Sequence, residues 1–158
     1  MNDKIVGYIF HEDAINEHEI RNITQVRKGV LRFIAVLQEA NLPNRNGREY
    51  PKNVLVPAID TPYIREKLST NSLIGEANHP DNPDMARQAK LDINNASHII
   101  KRLYWDQTDP NLLLGEVETA GTETGRNFDG LISENGMPAS CSMRGLCDAT
   151  KTGNRITV

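Results

Sequence analysis

The stretch INNASHIIKRLYWDQTDPNLLLGEVETA, Ile93 to Ala120, decides the fold class. Apolar and polar residues alternate loosely from Ile93 to Trp105, the period of a strand. QTDPN then supplies turn residues and LLLGEVETA answers as a second strand, so the stretch predicts a hairpin. Upstream, VLRFIAVLQEA from Val30 is dense in β-branched and aromatic residues; a strand is preferred there, although FIAVLQEA also fits a helix. The residues NRNG at 44–47 predict a turn, and Pro51 opens a helix through Val54 and Leu55 that Pro57 and Pro62 break up. Downstream, GRNFDGLISENG, Gly125 to Gly136, puts Phe128, Leu131 and Ile132 at helical spacing before a closing glycine and predicts a short amphipathic helix. MPASCSMRGLCDA, 137–149, reads as a buried strand with Ser140 and Ser142 on one face and Cys141 on the other. This order predicts an α/β protein of the α+β kind, rich in strand: a mixed, largely antiparallel sheet or barrel with a few packed helices.

Composition narrows the function. The 158 residues, 38% hydrophobic and 25% charged, suit one soluble domain with a single core. A formal net charge of −3 lacks the basic excess that binding nucleic acid requires. No apolar run reaches the length of a membrane span, and MNDKIVGYIFHED has no basic region ahead of an apolar core, so a cytoplasmic protein is expected. Cys141 and Cys147 stand six apart without a further Cys or Cys/His cluster, which predicts reduced thiols and neither zinc nor a disulfide framework. EDAINEHEIRN, from Glu12, reads as an acidic amphipathic helix or a flexible arm.

The chemistry centres on GEANHP, Gly75 to Pro80, in a chain with four histidines. A serine hydroxyl attacks a carbonyl only when a base takes its proton, and a histidine that titrates near neutrality is the usual base. His79 is the candidate base; Ser142 and Ser140 are the candidate nucleophiles. The segment SMRGLC offers backbone N–H groups for an oxyanion, with Gly145 permitting close approach. Spacing alone does not select this reading, because a glycine, an acid and a His-Pro step also describe ordinary surface turns. A metal site on His79, Glu76 and Asp81 lacks a second histidine at ligand spacing. Trp105 reads as a core or barrel-end residue rather than a substrate platform.

Four ordered segments, NRNGREYP at 44–51, GEANHP at 75–80, SHIIKRLYW at 97–105 and SMRGL at 142–146, resemble the prohead core proteases of tailed bacteriophages. The similarity runs from about Lys28 to about Asp148. It implies a serine endopeptidase with an assemblin-like fold, acting without a cofactor inside the prohead in the host cytoplasm. Its implied partners are the phage scaffold, core and major capsid proteins, with no role for nucleic acid or membrane and with self-association left open. The organisation expected on this basis is an N-terminal arm or helix over 1–27 and a protease-like domain over 28–158 that lacks its last strands.

The resemblance also implies residue roles. The histidine of the GE-x-x-HP motif is the general base, here His79, and the first residue of a Ser-Ser-Arg-Gly motif is the nucleophile, here Ser142. Met143 replaces the second serine, and Ser140 remains the alternative nucleophile. Arg144 and Gly145 would support the oxyanion or its turn, and Arg45 and Arg48 would bind substrate. Relatives complete the triad with an acidic residue on a later strand, but sixteen residues follow Ser142 here. Asp148, Glu76 and His98 are therefore the candidate third members, and low activity is expected of the chain by itself. Relatives cut after a glutamate that follows a branched apolar residue by two, a pattern present at Ile15–Glu17, Leu37–Glu39, Ile64–Glu66 and Ile132–Glu134. Self-cleavage after Glu17 is the accessible case. The alternative is an inactive protease-fold component of the phage head or core.

Overall fold

The structure is a computed structural model that describes residues 2–12, 20–81 and 84–158. Its strands are β1 (Asn2–Glu12), β2 (Ile20–Arg27), β3 (Val30–Glu39), β4 (Arg48–Glu49), β5 (Ile74–Glu76), β6 (Ala96–Trp105), β7 (Leu112–Thr119), β8 (Met143–Thr152) and β9 (Arg155–Thr157). Helices α1 (Lys52–Ile59), α2 (Pro62–Ser69), α3 (Met85–Gln88) and α4 (Glu123–Ser133) fill the connections. The strands form two sheets, one ordered β2-β3-β7-β6-β5 and wholly antiparallel, the other β1-β8-β9-β4 with a single parallel pairing between β4 and β9. The expected strand-rich mixed architecture is present, divided between two sheets.

The first sheet is built around the predicted hairpin. β6 and β7 pair antiparallel from His98–Thr119 to Trp105–Leu113, and β3 adds to the far side of β7. The first strand of the hairpin starts at Ala96 rather than Ile93, because Asp92 accepts from the Asn94 N–H and caps a single 3₁₀ turn over Ile93–Asn95. Flanked on both sides, β3 and β7 are buried on both faces, which explains why VLRFIAVLQE carries no clean alternation. Parity still sorts its side chains. Leu31, Phe33 and Ala35 meet Val117, Ile132 and Ala139 under α4, while Val36 packs with Leu112 and Leu114 in a second cluster. Phe33 and Phe128 cross edge to face at 6.4 Å, which fixes α4 on the sheet. α4 begins with Thr122 accepting the Gly125 N–H, and after its end the left-handed Gly136 donates to the Ile132 carbonyl, as the sequence predicts.

Several local expectations are corrected. Pro57 does not break α1, which runs through it to Ile59. The carbonyl that the missing N–H would have engaged belongs to Asn53, which is exposed and open to water. Pro62 opens α2 behind the Thr61 cap instead of ending a helix. The strand expected over 137–149 begins only at Met143 and is mostly half-buried or exposed, so Ser140 and Ser142 precede it. Within residues 1–27, strands β1 and β2 stand where an arm or helix is expected. β1 gains its backbone hydrogen bonds from β8, far along the chain, and β2 gains its own from β3, the next strand. Most of EDAINEHEIRN, including Ile15–Glu17, lies outside the described residues. No helix among the described residues is long and apolar enough to cross a membrane.

Candidate active site

The histidine loop leaves the short edge strand β5 and is pinned on both sides of His79. Ala77 donates its N–H to the Asn95 carbonyl at 3.1 Å, and the Asn95 side-chain amide returns a bond to the Ala77 carbonyl at 2.7 Å. On the other side the Gln88 amide, in α3, donates to the Pro80 carbonyl at 3.0 Å. Between these anchors Asn78 adopts φ +60°, a left-handed conformation that asparagine tolerates better than most residues, and it turns the chain so that His79 projects. The serine arrives from the opposite direction. Residues 137–142 run from the end of α4 towards β8, and their burial alternates: Ala139 and Cys141 turn into the α4 core, while Pro138, Ser140 and Ser142 face out.

The two loops converge. His79 Nε2 and Ser142 Oγ are hydrogen-bonded although 63 positions separate them in sequence. Below this pair, Glu76 ties the loops together. Its carboxylate, 4% exposed, accepts from Arg144 at 2.9 Å, from Arg87 at 2.6 Å and from the Asp92 N–H at 3.2 Å. Burial works to raise the Glu76 pKa, but the hydrogen bonds from Arg87, Arg144 and Asp92 outweigh it and hold the carboxyl below its ordinary range. Arg144 on β8 and Glu76 on β5 thus join one sheet to the other within three residues of each member of the pair.

The remaining sequence candidates fall elsewhere. Glu76 is committed to two arginines. His98 Nδ1 bonds the Ser97 hydroxyl at 2.8 Å, and burial pushes its pKa down to about 4, so its ring is neutral at physiological pH. Its ring also sits against Gly75, where an added Cβ would lie 2.1 Å from Nε2. Asp148, six residues along β8, accepts the N–H of Gly7 at a bulge where Val6 and Gly7 oppose it. Gly145 pairs with Phe10 in the β1–β8 ladder, and the Arg144 guanidinium points to Glu76, so neither offers a side-chain or turn device for an oxyanion. Arg45 is exposed in a turn that Asn44 closes by accepting from the Asn46 and Arg48 N–H groups, and neither Arg45 nor Arg48 lines the cleft beside the pair. Burial pushes the Cys141 thiol up to about 11, which makes it a packing residue. Trp105 packs against Tyr50 and Leu55 with Lys52 over its ring. No cluster of three metal-ligating side chains occurs among the described residues.

Sequence reasoning did not find Arg87, Asn95 and Gln88, the residues that hold the histidine loop. Their signal is three-dimensional, and nothing in the spacing between GEANHP and MARQ marks it.

A cleft of about 420 Å³ opens between Glu76–Asn78 and Met137–Cys141, walled by Phe33, Phe128 and Leu131 and floored by Ser97 and His98. The model of the prohead core protein serine protease family matches residues 5–158. Among curated proteins, the prohead core protein protease of Enterobacteria phage T4 is 35% identical over 74 residues, an alignment that covers 47% of this chain and 32% of that protein. The chain therefore aligns with about a third of that relative's length. Among solved structures, that of the bacteriophage T4 capsid assembly protease, gp21, superposes with a TM-score of 0.70 at 23% identity, covering 99% of this chain and 90% of that one. That likeness is one of fold.

Proposed function

The chain belongs to the prohead core protein serine protease family, and from that membership and the site geometry we propose that it is a serine endopeptidase of phage head maturation. Ser142 is the nucleophile and His79 its general base. One observation carries this reading: two loops from different sheets, each anchored separately, bring His79 Nε2 and Ser142 Oγ into hydrogen-bonding contact. Contact of this kind is what proton transfer needs and what packing does not require.

The chemistry follows. Ser142 Oγ attacks the scissile carbonyl while its proton passes to His79 Nε2. The imidazolium returns that proton to the leaving amine, and water opens the acyl-enzyme by the same two proton transfers in reverse roles. Pro138–Ser142 makes no backbone hydrogen bond outside the sheets among the described residues, and the N–H groups of Cys141 and Ser142 would receive the oxyanion. Substrates are the scaffold, core and major capsid proteins inside the prohead, cut after glutamate, together with the chain's own segment after Glu17.

The test uses a fluorophosphonate probe and a purified phage scaffold protein with the intact chain. Ser142→Ala is expected to abolish labelling and cleavage, His79→Ala to lower both by about 10³-fold or more, and Ser140→Ala to leave both unchanged. Labelling of Ser142→Ala at the wild-type rate overturns the assignment.

A further inference from the structure

Ser142 and Arg144 face the histidine loop, and the residue between them faces the other way. Successive side chains of an extended chain alternate, so Met143 leaves the backbone opposite to its two neighbours. Each direction has its own contacts. Forward, Ser142 bonds His79 and Arg144 bonds Glu76. Backward, the half-buried Met143 packs on the cluster of Ala40, Tyr50 and Leu55, which also carries Trp105 and Val158. Val158 is held there by its N–H bond to the Glu49 carbonyl at 3.0 Å, where β9 runs parallel to β4. Met143 is also the first residue of β8 in the ladder, opposite Glu12, and Pro138–Ser142 makes no backbone hydrogen bond outside the sheets among the described residues. The ordered sheet therefore meets the serine at Met143.

We propose that Met143 is a positioning residue: its side chain, seated among Tyr50 and Leu55, sets where Ser142 Oγ stands relative to His79 Nε2. The proposal rests on the reading of Ser142 as nucleophile and names what holds that nucleophile in place. Neighbouring Cα atoms are about 3.8 Å apart, so a shift of Met143 in its seat passes directly to Ser142. The histidine loop does not follow, because Asn95 and Gln88 hold it from other elements. A displacement of about 1 Å between reacting groups costs on the order of 100-fold in rate. Met143 acts on geometry alone: it carries no group that takes up or gives a proton, and it does not line the cleft beside the pair. Emptying the seat should therefore slow the reaction of Ser142 without changing how a ligand binds in the cleft.

The experiment follows fluorophosphonate labelling of the intact chain over a range of probe concentrations, which separates the maximal rate, kinact, from the probe affinity, KI. Met143→Ala is expected to lower kinact by about 30-fold or more, with KI within about twofold of wild type. Met143→Leu refills the seat at nearly the same volume and should restore kinact to within about threefold. Two controls separate positioning from stability. Val36→Ala opens a cavity in the cluster with Leu112 and Leu114, and Leu146→Ala trims a side chain of β8 that is 67% exposed; both should keep the wild-type kinact. Circular dichroism at the assay temperature establishes that each variant is folded, and if Met143→Ala is not, Met143→Val carries the comparison with an expected loss of about fivefold. A folded alanine or valine variant that labels at the wild-type kinact overturns the proposal. So does a Met143→Leu variant as slow as Met143→Ala, or an equal loss in Val36→Ala. The nucleophile reading fails separately, through labelling that persists in Ser142→Ala.

Discussion

Replacing Glu76 by glutamine should loosen the junction that holds the His79–Ser142 pair, and the structure sets the size of the effect. The Glu76 side chain is 4% exposed, whereas those of its partners Arg87 and Arg144 are 28% and 19% exposed. Glu76→Gln keeps the shape and removes the counter-charge of two guanidinium groups. Breaking a fully buried ion pair costs about 3–5 kcal/mol. Both arginines retain some contact with water and the amide oxygen still accepts one bond, so about 3 kcal/mol is expected. At a urea dependence of about 2 kcal/mol per molar, that lowers the unfolding midpoint by roughly 1.5 M. Arg144→Met alone leaves Glu76 paired with Arg87 and should cost about 2 kcal/mol. The double variant should fall short of the sum by about 1–2 kcal/mol, because both changes remove the same contact. The pH dependence has a definite sign. The carboxyl is held below its ordinary value of 4.5, so its contribution is complete above that pH and is lost as pH falls further, through the folded pKa. The gap between wild type and Glu76→Gln should therefore narrow below pH 4.5. Additive single and double variants, or a midpoint shift below about 0.3 M, would refute the reasoning.

His98 gives a second pH signature at higher pH. Its pKa falls from an ordinary 6.5 to about 4 on burial, so the unfolded chain takes up the proton first and stability is lost as pH drops through that window. The loss amounts to roughly 3 kcal/mol at its limit. Urea unfolding at several pH values between 7.5 and 4 should show this slope in the wild type and a shallower one in His98→Gln; equal slopes would remove the buried neutral imidazole from the account. Gly75→Ala would set a methyl group 2.1 Å from His98 Nε2, a distance no real contact reaches, so the ring or the strand must move. About 2 kcal/mol and a melting temperature lower by roughly 4–8 °C are expected by calorimetry, and an unshifted transition would show that the ring has an alternative seat.

What the sequence revealed and what it hid divide along physical lines. The β6–β7 hairpin was legible because its strands are long, its turn residues are local and its partner is the next segment. α4 was legible because Phe128, Leu131 and Ile132 follow the helical period and Gly136 supplies the left-handed stop. β1 was not, because its hydrogen bonds come from β8 more than a hundred residues away, and local pattern carries no record of such a partner. The start of MPASCSMRGLCDA misled for a related reason: an alternating segment without a neighbour has the pattern of a strand but no ladder. His79 and Ser142 were picked out by motif, and their contact is a fact of topology. Arg144 was expected to serve an oxyanion; its partner Glu76 was itself a candidate for another role, and only the fold pairs them.

The pair and its brace share a structural consequence. His79 belongs to the sheet that holds β5, and Ser142 leads into the sheet that holds β8. Between them run the His79–Ser142 and Glu76–Arg144 side-chain bonds, alongside the packing of Ala139 and Cys141 on the cluster of Leu31, Phe33 and Val117. Side-chain contacts can open without the cooperative loss of a ladder, so separating Ser142 from His79 costs less than unfolding either sheet. The distance on which the proposed proton transfer depends is thus governed by a junction weaker than the elements it joins. Substitutions at Glu76 or Arg144 should accordingly reduce reactivity at Ser142 under conditions where both sheets remain folded.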